Sequence, residues 1–302
     1  MDTVGIRKAS YPSKEAIDSL LDITEAGSIR HGESVIVKPN ICYDRNPNDM
    51  IVTDFRLIEA VLEWLKERTN EIVVVESDNR SGSAERRTAS LGLPALLRRL
   101  NVPFRNLTLE RDFVTKNVGN VTFHFPKLVT EADCVVNLPK LKTSAGTTVT
   151  LSLKNSFGLV MDRNKPSMHK SLDRILLEVN QAIRRHLVLV DGIVGMEGNG
   201  PLYGEPVQAK VIVAGSRPVT VDATCCHIMG FDPSQINHIR TCSEGGLGTL
   251  DLEEIRIVGE DILAVARRFI PPSFGPTSLA RTVRSAARLY LTRRTSSQIM
   301  SG

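Results

Sequence analysis

Three lysines stand in the segment NLPKLKTSAGTTVTLSLKNSFG, residues 137–158, and they carry the first chemical question. Lys140, Lys142 and Lys154 follow DCVVNLP, a run whose apolar content reads as the inside of a sheet. Either these lysines line a pocket for something negative, or the strand reading fails. Lys140 and Lys142 alternate with Leu141, so they share one face if extended. Thr147 or Thr148 can cap a helix that begins near Val149, on which Thr150 and Lys154 share a face. Threonine hydroxyls and free amides at a helix start form an anion cradle, and lysines add point charge. Gly146 lets a backbone approach a ligand closely. Asn137, Thr143, Ser144, Thr147 and Asn155 add polar groups that can orient an anion beside the lysines.

Two further stretches carry titratable groups. MDRNKPSMHK, residues 161–170, holds Lys165 and His169 in a polar loop before a helix. His169 is the acid–base candidate, because histidine titrates near neutral pH; capping or facing solvent is its bland alternative. VDGIVGMEGNGPLYGEP, residues 190–206, reads as a glycine-rich loop after a strand, carrying Asp191 and Glu197. Those carboxylates, with Asp78, can bind a hard divalent metal through oxygen, orient a lysine or take a proton. The loop is neither a Walker loop nor a G-x-G-x-x-G fingerprint. Asp222, in the first turn of a predicted helix, reads as a residue satisfying the helix dipole. The adjacent Cys225 and Cys226 read as core.

These groups need elements to hold them. SVIVKPN (34–40), EIVVVESDN (71–79), DCVVNLP (133–139), HLVLVDG (186–192) and AKVIVAG (209–215) read as strands. Helical spacing runs through 53–70, with Thr53 or Asp54 as N-cap, and through 83–100 with a break near Gly92 and Pro94. It recurs over 171–185 and 219–230. Val- and Ile-rich strands alternating with helices predict an α/β fold, a mainly parallel sheet with helices on both faces. Residues 104–126 read as a small antiparallel insertion. Four strands end in polar residues: Lys38 to Asn40, Glu76 to Asp78, Asn137 to Lys140, and Asp191. Ligands bind at the carboxyl ends of strands in open parallel sheets, so the pattern predicts a pocket there.

Composition bounds the rest. The chain has 302 residues, 41% hydrophobic and 24% charged, with a net charge of +4 that is too mild to argue for specific nucleic-acid binding. No apolar run approaches the roughly 20 residues of a membrane helix, and MDTVGIRKASYPS has no signal-peptide core. Five scattered cysteines match no disulfide framework and no zinc or iron–sulfur cradle, so a reduced, cytoplasmic protein is expected. The expected organisation is one α/β domain over 1–262 and a basic C-terminal helix and tail over 263–302. Nothing after Asp261 is acidic, and Leu279, Val283, Ala287 and Tyr290 share a helical face with the arginines mostly elsewhere. That helix either packs on the body or docks on an anionic membrane, another protein or RNA. Homo-oligomerisation is left open.

At these residues the chain resembles domain-of-unknown-function family 362. The matching motifs are Lys38-Pro39-Asn40, Asp133 to Thr143, Thr150 to Gly158, Lys165 with His169, and Asp191 to Pro201. Val221-Asp222-Ala223 and Met229 to Pro233 extend the likeness, which runs from about residue 34 to 250. Two departures stand out. Ser144 occupies a place where the family usually has histidine, and the cysteine clusters of relatives with a ferredoxin module are missing, so no iron–sulfur cluster is expected. The resemblance implies the arrangement of motifs and supplies no reaction.

The residues themselves support an enzyme for a small anionic or carbonyl-bearing metabolite or biosynthetic intermediate. Lys38, Lys140, Lys142 and Lys154 would hold the anion, while Asn40, Asn137 and Asn155 orient it. His169 would move protons with Lys154, Lys165 or Asp191, as isomerisation, elimination or hydrolysis requires. A lysine of depressed pKa also permits Schiff-base chemistry. The alternative is a non-catalytic protein that binds a phosphorylated ligand or serves a redox partner.

Overall fold

A computed structural model describes residues 1–24 and 29–291 of the chain. In chain order it begins with β1 (Asp2–Lys8) and α1 (Lys14–Ile23), followed by β2 (Val35–Pro39), α2 (Phe55–Lys66) and β3 (Ile72–Glu76). Helices α3 (Ala84–Leu91) and α4 (Leu93–Arg99) break at Gly92, as the sequence predicts. Next come β4 (Phe104–Asn106), the hairpin β5 (Phe113–Val118) and β6 (Val121–Pro126), α5 (Lys127–Glu131) and β7 (Cys134–Leu138). The site region comprises β8 (Lys140–Ser144), β9 (Thr148–Val149) and α6 (Leu151–Asn155), then α7 (Leu172–Gln181). The remainder is β10 (His186–Asn199), β11 (Tyr203–Val207), β12 (Val211–Gly215), α8 (Pro218–Met229), α9 (Asn237–Glu244), β13 (Ile255–Gly259), α10 (Ile262–Val265) and α11 (Pro276–Leu291).

The central sheet has the order β13-β1-β12-β10-β7-β2-β3-β4. Every neighbouring pair on that path is parallel except those made by β12, which runs against both β1 and β10. This is a mixed α/β fold with a mostly parallel sheet. Both faces are covered, and the residue alternation shows how. Val35, Val37, Cys134, Val136, Leu187 and Leu189 join the core beneath α1, α2 and α4, while Ile36, Val135 and Val188 join the core beneath α6 to α9. A strand buried on both sides has no polar face, which is why these segments read as unbroken apolar runs.

Three expectations change. Of residues 104–126, only 113–126 form an antiparallel hairpin; β4 joins the main sheet parallel to β3. The glycine-rich stretch is not a loop. It continues β10 to Asn199, and β11 returns antiparallel to it, with Gly195 opposite Val207 and Asn199 opposite Tyr203. The glycines there serve close approach: a Cβ on Gly200 would lie 2.1 Å from the Thr143 carbonyl oxygen. Finally, Thr147 and Thr148 cap no helix. Thr148 and Val149 pair with Ser144 and Thr143, and the helix beyond is only Leu151–Asn155, with no side-chain cap.

Candidate active site

The carboxyl ends of β2, β3 and β7 open on one cavity of about 260 Å³. Lys38 and Asn40 leave β2 at its rim, Glu76 and Ser77 leave β3, and Pro139 and Lys140 follow β7. Strand β8 adds Lys142 and Ser144, and α6 with the turn after it adds Lys154, Asn155, Phe157 and Gly158. Lys165 and His169 come from a short 3₁₀ stretch, Lys165–Ser171, and the tip of the β10–β11 hairpin contributes Pro201 and Leu202.

Two of the five lysines are neutralised inside the protein. Lys38 Nζ donates to Glu76 Oε2 at 2.9 Å and to the Pro39 carbonyl at 2.8 Å, with both side chains buried. Glu76 also accepts from the amides of Ser77 and Ile41. Lys140 Nζ donates to Asp191 Oδ2 at 2.7 Å, and Asp191 accepts the amides of Asp54 and Ile193 as well. Such fully hydrogen-bonded pairs are the form in which a protein interior tolerates charge.

The other three have no carboxylate partner among the described residues. Lys142 donates to Asn40 Oδ1 at 2.7 Å and the Ile51 carbonyl at 3.0 Å, beside Cys42 Sγ. Lys165 donates to Ser77 Oγ and the Asp78 carbonyl. Lys154 has no hydrogen-bond acceptor among the described residues; its ammonium lies 4.6 Å from the Phe157 ring centre, a cation–π contact. Burial lowers the pKa of Lys142, assisted by the charges of Lys140 and Lys38. It carries Lys154 down to about 8, with Lys142 adding repulsion, and Lys165 down to about 7. A lysine near pKa 7 is partly neutral at physiological pH and can accept a proton, which an ordinary lysine cannot.

The remaining predicted residues divide between the cavity and its supports. Asn155 donates to Asn137 Oδ1 at 2.7 Å, and Asn137 in turn donates to the Ser152 carbonyl and Ser156 Oγ. Asn137 therefore fixes α6 from behind the cavity wall. Thr143 Oγ1 donates to the Gly198 carbonyl and ties β8 to the hairpin, while Thr147 Oγ1 donates to the Val149 carbonyl. Neither lines the cavity. His169 lines its mouth, exposed, with its ring edge-on to Phe157 at 6.3 Å.

Two expectations are corrected by geometry. The amides at the start of α6 are not free for a ligand, because Ser152 N and Leu153 N already donate to the Asp222 carboxylate at 2.9 and 3.0 Å. Burial raises Asp222 to about 7 against those donors. The anion cradle expected at this helix is filled by the protein's own carboxylate, and Asp222 acts as a clamp across the fold. Leu151, just before these amides, is held at φ 48°, a strained conformation for leucine that the clamp helps to fix. The three candidate metal carboxylates also do not converge. Asp78 accepts from the Ala84 amide, Asn106 and Arg163; Asp191 is bound to Lys140; Glu197 accepts from the Ile270 amide. Among the described residues no group of three or more His, Cys, Asp and Glu side chains is placed to hold a metal ion.

Several lining residues carry little signal in the sequence. Glu76 and Ser77 are visible there only as a polar strand end, and Phe157 and Cys42 as apolar or core residues. The clue to Glu76 is its place directly after the buried Val74 and Val75, beside a strand ending in Lys38; adjacent parallel strands bring such ends together.

The model of the family described as Domain of unknown function (DUF362) matches residues 35–227. That span contains every lysine of the cavity. A curated relative, a thylakoid-associated protein of Synechocystis sp., is 28% identical over 306 aligned positions, covering 95% of this chain and 94% of that one. No solved structure matches the chain.

Proposed function

The chain belongs to the DUF362 family, and on that premise we propose that it is an enzyme transferring protons on a small anionic, carbonyl-bearing metabolite. The observation that carries this reading is the set of unpaired lysines in the cavity: Lys142, Lys154 and Lys165 face one space with no carboxylate partner among the described residues. An anionic ligand restores the balance that burial has disturbed. In this scheme Lys142 and Lys154, oriented by Asn40 and Asn155, hold the anionic group. Neutral Lys165, fixed by Ser77 and the Asp78 carbonyl, removes a proton from the carbon next to the carbonyl and becomes an ammonium. The negative charge moves onto the carbonyl oxygen as an enolate, stabilised by the neighbouring lysines. His169, at the mouth, returns a proton to a second position or to a leaving group. Isomerisation and elimination both follow from that pair of steps.

For location we propose the cytoplasm. No helix among the described residues is long and apolar enough to cross a membrane. The thylakoid association in the relative's name supports a protein that works beside a membrane system.

The test reads the proton transfer itself, whichever product forms. The protein is incubated in D₂O with a panel of 2-oxo acids and phosphorylated ketones, and exchange of carbon-bound hydrogen for deuterium is followed by NMR. Protein-dependent exchange of at least one compound, lost in Lys165→Met, is the expected result. No exchange across the panel, or exchange that Lys165→Met leaves unchanged, removes Lys165 from this role.

A further inference from the structure

Helix α11 is folded onto the body with the opposite polarity from an ordinary surface helix. The face it turns inward consists of Ser278, Thr282, Ser285 and Leu289, spaced by four, three and four residues. Asn199 Nδ2 donates to Ser278 Oγ and Thr282 Oγ1, and Ser285 Oγ donates to the Gly204 carbonyl at 2.6 Å. Arg45 Nη1 donates to the carbonyls of Leu289 and Tyr290 at the last turn. A second stripe begins with Leu279 and Val283, which point to solvent with relative exposures of 64% and 61%; Tyr290, in line with them, is 62% exposed but turns its hydroxyl to Tyr43 and Tyr203. A third stripe carries Arg281, Arg284 and Arg288; the first two are exposed and Arg288 pairs with Glu205. Phe274, two residues before the helix, is 85% exposed. Of the two alternatives the sequence leaves open, packing on the body holds, but it uses the hydroxyl face and Leu289 and not the apolar stripe. Hydroxyls hold the helix in place, and its hydrophobic stripe is left uncovered.

We propose that α11 docks the protein on an anionic lipid surface, with Leu279 and Val283 entering the headgroup boundary and Arg281 and Arg284 meeting the lipid phosphates. Charge selects this occupant. Seven arginines and no acidic residue follow Asp261, so with a total of +4 the preceding chain is net −3. The positive field is thus concentrated on the segment that also bears the exposed apolar stripe, the combination that holds an amphipathic helix in the plane of an anionic membrane. Sixteen residues make about 24 Å of helix, and with three arginines it lies on a bilayer and does not cross it. Pairing α11 with a second copy through the same stripe would cover it but leave Arg281 and Arg284, on another side of the helix, without counter-charge. Nucleic acid would engage the arginines and leave the apolar stripe exposed.

The proposal is independent of the cavity chemistry, since Leu279, Val283 and the arginines lie outside the cavity lining. It is tested by flotation of the full chain with vesicles of phosphatidylcholine alone or mixed with phosphatidylglycerol. Binding to the mixed vesicles only, weakening as salt is added, is expected. Leu279→Ser with Val283→Ser should abolish it. Arg281→Ala with Arg284→Ala should weaken it on the order of thirtyfold, from about 1 kcal/mol per arginine. Lys154→Met should bind as the parent does. All four substituted helix positions are exposed, so an unchanged thermal unfolding curve checks that each variant is folded. Absence of flotation, equal flotation with phosphatidylcholine alone, or binding that both double variants retain overturns the proposal. So does a concentration-dependent dimer in sedimentation that Leu279→Ser with Val283→Ser dissociates while no vesicle binding is seen.

Discussion

Replacing Gly158 with alanine puts a methyl carbon 2.5 Å from Lys38 Cε, 2.7 Å from its Nζ and 2.9 Å from Glu76 Oε1. No folded protein holds such contacts, so something must move. The backbone of Gly158 is restrained because its carbonyl accepts from Ser77 Oγ at 2.6 Å. The lysine side chain is the softer partner, and moving it opens the 2.9 Å pair with Glu76 in a place where both groups are buried. Separating a buried ion pair costs about 3–5 kcal/mol, most of it the desolvation of the charge left alone. Gly158→Ala is therefore expected to destabilise by about 3 kcal/mol, read as a lower urea midpoint with an unchanged slope. A Lys38→Ala background supplies the control. With the long side chain gone the methyl meets only Glu76 Oε1, the end of a carboxylate no longer tied to Lys38 and able to yield, and the same substitution should cost less than about 1 kcal/mol there, a coupling of about 2 kcal/mol. A cost below about 1 kcal/mol in the parent, or equal costs in the two backgrounds, would refute the reasoning that this glycine exists to admit the Lys38–Glu76 pair.

Two further expectations concern charge. Burial depresses Lys165 from 10.5 to about 7, so between those values the unfolded chain binds a proton that the folded chain does not. The penalty on folding is full below pH 7 and fades as pH rises toward 10.5. Relative to Lys165→Met, the parent should gain about 2–3 kcal/mol of stability between pH 6 and pH 9, measured by urea unfolding; a parallel pH profile for the two would sink the assignment. Asp191→Ala strands Lys140, which is fully buried, and frees the Asp54 amide. It should cost about 3–5 kcal/mol in the same assay, and a loss of under about 1 kcal/mol would show that Lys140 finds another partner. The site chemistry assigned to Lys165 and the docking assigned to α11 carry their own tests above.

Much of the fold follows from local pattern. Val35 to Val37, Val74 and Val75, Cys134 to Val136 and Leu187 to Val190 are buried from both sides, so their apolar runs announce parallel strands without reference to anything distant. Strand β1 gives no such announcement. Of DTVGIRK only Val4, Gly5 and Ile6 are buried, and its partners lie more than 200 residues away. The long β10 was hidden by glycines that lower strand propensity but are needed where β8 and β11 crowd it. Within the site, the lysines line one cavity because strand ends in a parallel sheet meet in space, a convergence that polar strand ends make visible in the sequence. Which of the roles open to Asp191 applies, and that Asp222 serves backbone amides, is set across 51 and 70 residues by a lysine and by the start of α6. No local spacing distinguishes a carboxylate that neutralises a lysine from one that works in a cavity. The stripes on α11 were legible as stripes, but the direction each one faces depends on Asn199, Gly204 and Arg45, which lie elsewhere in the chain.

The placement of β1 has a consequence for the nascent chain. Both its neighbours, β12 and β13, are encoded after residue 210. At about 5–20 residues per second, β1 leaves the ribosome roughly 10–40 s before β12 exists to receive it. During that interval neither of its edges has a ladder partner, while β2, β3, β4 and β7 can already assemble among themselves. The cavity's β2, β3 and β7 walls are therefore in hand before the strand that seals the far side of the sheet. Closure waits on segments made more than 200 residues after the strand they pair with. A chain interrupted anywhere between residues 139 and 210 would carry β1 as an open strand beside a half-built site.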